Sequence, residues 1–151
     1  MSLWRYTVPA CFVVLFLSAC ESGENIGGLP VPEAPVRQMD AQQIALGQRI
    51  FQANCASCHG AGAEGDANWH QRDADGHYPA PPLNGSGHAW HHSVEKLKAA
   101  IINGSPKGQG KMPAWENKLK EQEIEAVIAW FQSLWPQPVY DAWFEMQQRG
   151  R

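Results

Sequence analysis

The stretch "NCASCHG", residues 54–60, places two cysteines three positions apart and a histidine directly after the second. No other feature limits the fold as strongly, because Cys-x-x-Cys-His suits three chemistries: a dithiol switch, half of a zinc site, or covalent attachment of a haem. Each demands different surroundings. A dithiol switch follows a strand in a β-α-β unit, a structural zinc wants four ligands, and a haem wants a chain that encloses it.

The surroundings are helical. Asp40 reads as an N-cap, and Ile44, Gly47, Ile50 and Phe51 follow at spacings of three and four, so a helix is predicted to run straight into Cys55. Residues 60–87 are glycines, prolines and polar residues without sustained period, a length of loop expected in a compact domain when it wraps a ligand. A second helix is predicted from Ser93 as N-cap, with Val94, Leu97, Ala100 and Ile101 inward, and it stops at Asn103-Gly104. The loop "NGSPKGQGKMPAW" then leads to Met112-Pro113. In "EQEIEAVIAWFQSLW" an apolar stripe of Ile124, Val127, Ile128, Phe131 and Leu134 predicts a third helix, ended by Pro136. An amphipathic coda carries Val139, Trp143 and Met146 on one face. No segment alternates as a strand would, so the chain reads as all-α with long loops.

At the N-terminus, "MSLWRYTVPACFVVLFLSAC" has one positive charge at Arg5, an apolar run from Ala10 to Leu17, and small residues before Cys20. This is the pattern of an export signal, and the run is shorter than the roughly 20 apolar residues a membrane-spanning helix needs. Leu17-Ser18-Ala19-Cys20 resembles the lipobox of bacterial lipoproteins, which implies a lipid on Cys20 and cleavage before it. Residues 1–19 are then a signal peptide and 20–38 a lipid-anchored flexible tether, rich in Gly, Pro, Glu and Ser from Glu21 to Val36. Residues 39–136 form the folded domain and 137–151 a C-terminal amphipathic extension.

Export simplifies the cysteines. Cys11 leaves with the signal and Cys20 takes the lipid, so Cys55 and Cys58 are the remaining thiols. Loss of residues 1–19 removes only Arg5, leaving 11 basic against 15 acidic residues and a formal charge of −4. With no block of like charges, nucleic acid is excluded as a partner class. The 151 residues, 44% of them hydrophobic, suit one globular domain with a modest core.

A chain without strands disfavours the dithiol switch. Zinc lacks a second cysteine pair, although His88, His91 and His92 could supply ligands. Haem attachment accounts for the whole motif: Cys55 and Cys58 form two thioethers, and the imidazole of His59 reaches the iron as proximal ligand. On one helical turn these three residues share a side, so a single short segment can hold both the ring edge and the metal.

From residue 40 to 135 the chain resembles the small mono-haem class I cytochromes c, including bacterial ones related to the c-type subunits of terminal oxidases. "GQRIFQANCASCHG" reproduces Gly-x-x-x-Phe-x-x-x-Cys-x-x-Cys-His, and the resemblance implies that Gly47 and Phe51 pack against Trp130 of the last helix. The implied fold is the all-α cytochrome c fold, three to five helices with long loops around one covalently bound haem c. "APPLNG" is similar to the family's Pro-x-Leu loop, placing Pro81 and Leu83 on the proximal side of the haem. A proline-loop carbonyl there accepts the Nδ1 hydrogen of the proximal histidine, and either Pro81 or Pro82 could supply it. The segment between His59 and Pro81 is longer than in the smallest members.

The sixth iron position separates a carrier from an enzyme or gas binder. Met112, in a loop and followed by proline, matches the family's Met-Pro and is the expected distal ligand. Met39 and Met146 lack that loop context, and His70, His77, His88, His91 and His92 are the competing ligands. In "GHAWHHS", His88, His91 and His92 could chelate a second metal such as copper, or pack in a surface loop beside Trp90. Lys107, Lys111, Lys118 and Lys120 surround the Met112 loop as a basic rim for an acidic redox protein or as a solvated face.

The expectation is a mono-haem, His/Met-ligated single-electron carrier of the bacterial cell envelope rather than an enzyme. It is held at the periplasmic side of a membrane through Cys20 and works in a respiratory chain with redox partner proteins. The alternatives are a copper-handling haem protein using His88, His91 and His92, or a haem peroxidase or sensor with a labile sixth ligand.

Overall fold

The computed structural model describes Arg37 and residues 39–149. The export signal, the lipobox with Cys20 and the tether up to Val36 lie outside the described residues. The described chain is all-α, with five helices in order: α1 (Ala41–Asn54), α2 (Ala56–His59), α3 (Val94–Asn103), α4 (Glu121–Ser133) and α5 (Gln137–Arg149), plus a 3-10 turn at Ala89–His91. No described helix is long and apolar enough to cross a membrane.

Local chemistry sets the helix ends. Asp40, in extended backbone, accepts from the Gln42 and Gln43 amides and starts α1. Ser93 accepts from the Lys96 amide and starts α3, which ends at Gly104 with φ +69. Glu123 reaches back to accept the Lys120 amide at 2.7 Å, closing the first turn of α4.

The core lies where α1 crosses α4. A Cβ on Gly47 would stand 1.9 Å from the Ala126 carbonyl oxygen and 2.9 Å from Trp130 Cβ, so the two backbones meet with no room for a side chain. Beside that contact, the rings of Phe51 and Trp130 lie 4.4 Å apart. Both are buried, together with Ile124, Ala126, Val127, Ile128 and Phe131. Thus α4 is covered on more than the one stripe its sequence period marks.

Leu134 departs from that stripe. It is 38% exposed, because the helix stops at Ser133 and Leu134 sits in the cap, while Trp135 turns in and is 3% exposed. The Trp135 Nε1 hydrogen is donated to the Leu83 carbonyl at 2.7 Å, tying the end of α4 to the proline loop. Helix α5 has no fully buried residue. Val139, Tyr140 and Trp143 pack on the core, and Trp143 Nε1 donates to the His92 carbonyl at 3.0 Å.

Arg37 closes the corner between α4 and α5. Its guanidinium donates to the carbonyls of Gln132, Trp135 and Pro136, at 3.3, 2.9 and 3.2 Å, and lies over the Tyr140 ring. A cation there satisfies carbonyls left open at a helix C-terminus. We predict that Arg37→Ala lowers stability by about 1 kcal/mol. The urea midpoint measures this, and an unchanged midpoint refutes it.

Candidate functional site

The site is built on the turn that follows α1. Cys55 caps α1, donating its amide to Phe51, and the amides of Cys58 and His59 both return to the Cys55 carbonyl, at 3.1 and 2.9 Å. This winding presents a half-buried Cys55, an exposed Cys58 and a buried His59 within one turn. The Phe51 ring stands 6.4 Å from that of His59.

The His59 Nδ1 lies 2.9 Å from the Pro81 carbonyl oxygen. A carbonyl can only accept, so Nδ1 carries the proton and Nε2 keeps a lone pair. Burial pushes the imidazole pKa below its ordinary value and so favours the neutral ring, outweighing the opposing pull of the Pro81 hydrogen bond. Of the two prolines, Pro81 is the one bonded. Its carbonyl is aimed by loop contacts: Gly65 donates to the His59 carbonyl at 2.7 Å, Asp66 to Ala80 at 2.8 Å, and Leu83 to Ala63 at 2.8 Å. Leu83 itself is half-buried against the core.

The cysteines do not suit a dithiol switch. Burial, with Cys58 adding to it, raises the Cys55 thiol pKa to about 11, whereas an attacking cysteine needs a lowered one. Nor is a zinc set assembled around them. Among the described residues, three acidic, histidine or cysteine ligand atoms within 4.8 Å of one another occur only at Asp73, Asp75 and His77. The Lys111 ammonium bonds both carboxylates there, at 2.9 and 2.7 Å.

The histidines of "GHAWHHS" do not converge as a trio. His88 stacks on Trp69 at 5.0 Å and meets His92 edge-on at 5.4 Å, while His91 stacks on Trp90 at 3.6 Å. His70 is exposed beside Trp69, and the His77 amide bonds Asp73.

Met112 is half-buried in the loop between α3 and α4. Its amide donates to Ser105 Oγ at 3.3 Å, and its carbonyl accepts from the Ser105 amide at 3.0 Å. A Cβ on Gly104 would lie 2.6 Å from the Met112 carbonyl oxygen, so the loop rests directly on the end of α3. Just beyond, Trp115 and Glu116 donate to the Ile101 and Ile102 carbonyls. Ser105 and Trp115 carry no sequence signal for this work, because polar and aromatic loop residues are common and the pairing depends on the fold. Met39 is 51% exposed at the start of α1, and Met146 is half-buried on α5.

Residues 42–131 match the family described as cytochrome c oxidase, cbb3-type, subunit III. The chain belongs to this family. It is 30% identical over 95 residues to the cbb3-type cytochrome c oxidase subunit CcoP of Azospirillum sp. (strain B510), covering 63% of this chain and 30% of that protein. It is 33% identical over 87 residues to the chloroplastic cytochrome c6 of Chlamydomonas reinhardtii, covering 58% and 51%. With cytochrome c6 of Cladophora glomerata it shares 34% over 92 residues, covering 59% and 86%. The chain thus spans less than a third of the oxidase subunit and about half of the Chlamydomonas protein. No solved structure matches it significantly.

The protein is accordingly a class I c-type cytochrome with one covalently attached haem c. Its own residues fit that group. A buried imidazole with Nδ1 already bonded would leave Nε2 for an iron, and the two thiols stand on the same turn.

Proposed function

We propose that this cytochrome is a single-electron carrier in which Cys55 and Cys58 hold the haem, His59 is the proximal ligand and Met112 the distal one. The observation that carries the reading is the bond from His59 Nδ1 to Pro81 on the turn that bears both cysteines. Haem c supplies the reversible one-electron change at its iron. The chain's part is to attach, orient and shield. Cys55 and Cys58 fix the ring edge, and the Pro81 carbonyl orients His59 and strengthens it as a donor. Ser105 and Gly104 seat the Met112 loop, whose thioether favours the reduced state and raises the potential. Nothing in this role requires bond-making chemistry.

The expected setting is the bacterial cell envelope, with an anchor at Cys20 and redox proteins as donor and acceptor. The basic rim is smaller than its sequence suggests, since Lys111 is paired with Asp73 and Asp75. Exposed Lys107, Lys118 and Lys120 remain around the Met112 loop.

The test is haem staining of a denaturing gel after expression with a cytochrome c maturation system. The wild-type band should stain and the Cys55→Ser/Cys58→Ser variant should not. Retained stain in the variant refutes the attachment sites. Cys20→Ser should move the protein from the detergent phase to the aqueous one, and unchanged partition refutes the anchor.

A further inference from the structure

Four consecutive residues before Met112 are held by a segment far away in sequence. Tyr78 donates its amide to the Gln109 carbonyl at 2.9 Å and forms an isolated parallel bridge with Gly110. Arg72 donates to the Gly108 carbonyl at 2.9 Å and to the Gly76 carbonyl, with its guanidinium 4.4 Å over the Tyr78 ring. Lys111 bonds Asp73 Oδ2 and Asp75 Oδ2. Residues 108–111 are therefore gripped by residues 72–78 through backbone, guanidinium and ammonium together.

The gripping segment is itself pre-formed. Asp73 Oδ1 accepts the amides of Asp75 and His77, at 3.0 and 2.8 Å, and the Asp73 amide donates to the His77 carbonyl. This tight turn presents the second oxygen of Asp73, with Asp75 beside it, to Lys111. The Met112 loop then has two supports. The end of α3 carries Met112, Trp115 and Glu116, and the 72–78 turn carries the residues just before Met112.

We propose that residues 72–78 are a strap that positions the distal ligand loop, with Asp73, Asp75 and Arg72 as positioning residues that set how readily Met112 leaves the iron. This rests on the assignment of Met112 as distal ligand. A loop closed on one side only by α3 opens by releasing a few backbone bonds, and the strap adds its bonds to that same opening. Exposed ion pairs are individually weak, yet here one ammonium serves two carboxylates while a guanidinium holds the neighbouring carbonyl. The strap thus adds slow exchange at the sixth position to a site whose ligands lie elsewhere.

The test is the rate at which imidazole binds the ferric holoprotein, a reaction gated by departure of the distal ligand. Asp73→Asn keeps the Oδ1 acceptor of the turn, and Asp73→Asn/Asp75→Asn removes both charges facing Lys111. This double variant is expected to bind imidazole roughly 3- to 10-fold faster, while the sulfur-to-iron ferric band without imidazole stays as in the wild type. Lys111→Gln should reproduce the effect and Lys111→Arg should restore the slow rate. High salt should accelerate the wild type but not the double variant. An unchanged rate in the double variant, with the sulfur band present in the wild type, overturns the strap and leaves the ligand assignment standing. Absence of the sulfur band in the wild type overturns the assignment, and the strap's role with it.

Discussion

Gly47→Ala is expected to unfold the protein or to lower its stability by roughly 3 kcal/mol or more, although helix propensity alone would favour alanine by ~1 kcal/mol. The sign is decided by contact. The added Cβ would lie 1.9 Å from the Ala126 carbonyl oxygen and 2.4 Å from its carbon, both backbone atoms of α4 that no side-chain rotation can move. Relief requires α1 and α4 to separate, which also parts the Phe51 and Trp130 rings from their 4.4 Å tilted contact. Overpacking of a core commonly destabilises by about 1–3 kcal/mol, and a backbone-to-backbone crossing has less freedom to yield than a side-chain core. Against a total stability on the order of 5–15 kcal/mol, that is a large share. Urea unfolding of the ferric holoprotein measures it, with Gln48→Ala on the exposed face of α1 as the control expected to stay within about 0.5 kcal/mol. A Gly47→Ala protein as stable as the wild type would mean that the two helices do not cross at this point.

Met112→Ala is expected to abolish the ferric sulfur band, lower the reduction potential by on the order of 0.1 V, and let the ferrous protein bind carbon monoxide. Axial ligands tune such potentials over about 0.8 V, and loss of a thioether acts toward the oxidised state. Met39→Ala and Met146→Ala should leave spectrum and potential unchanged, since one is exposed at the start of α1 and the other lies on α5. A Met112→Ala spectrum identical to the wild type would transfer the distal role to another side chain, with the histidines first in line.

How much of this was readable from the residues varies with the range of the interaction. Asp40, Ser93 and Gly104 mark helix ends because each bonds within a few positions of itself. The same holds for the turn of Cys55, Cys58 and His59, whose spacing is a covalent fact of the chain. Leu134 and Trp135 show where local reading fails. A helical period places Leu134 inward, yet the helix ends one residue before it, and the indole takes the buried place because the Leu83 carbonyl is there to accept its hydrogen. Nothing near Trp135 in sequence encodes Leu83.

The choice between Pro81 and Pro82 is of the same kind. Either carbonyl is eligible from "APPLNG", and only the path of residues 63–66 across the loop aims Pro81 at His59. Residues 72–78 belong to the long polar segment after His59 that has no sequence period. Their meaning lies in Gly108, Gln109, Gly110 and Lys111, which they meet only after the chain has passed through α3. The identity of the cofactor, the helical class and the place of His59 on the turn of the two cysteines follow from residues that are neighbours along the chain, where covalent spacing already restricts geometry. The carbonyl that orients His59 and the second support of the Met112 loop are juxtapositions across dozens of residues, and such contacts exist only once the α1–α4 core has closed.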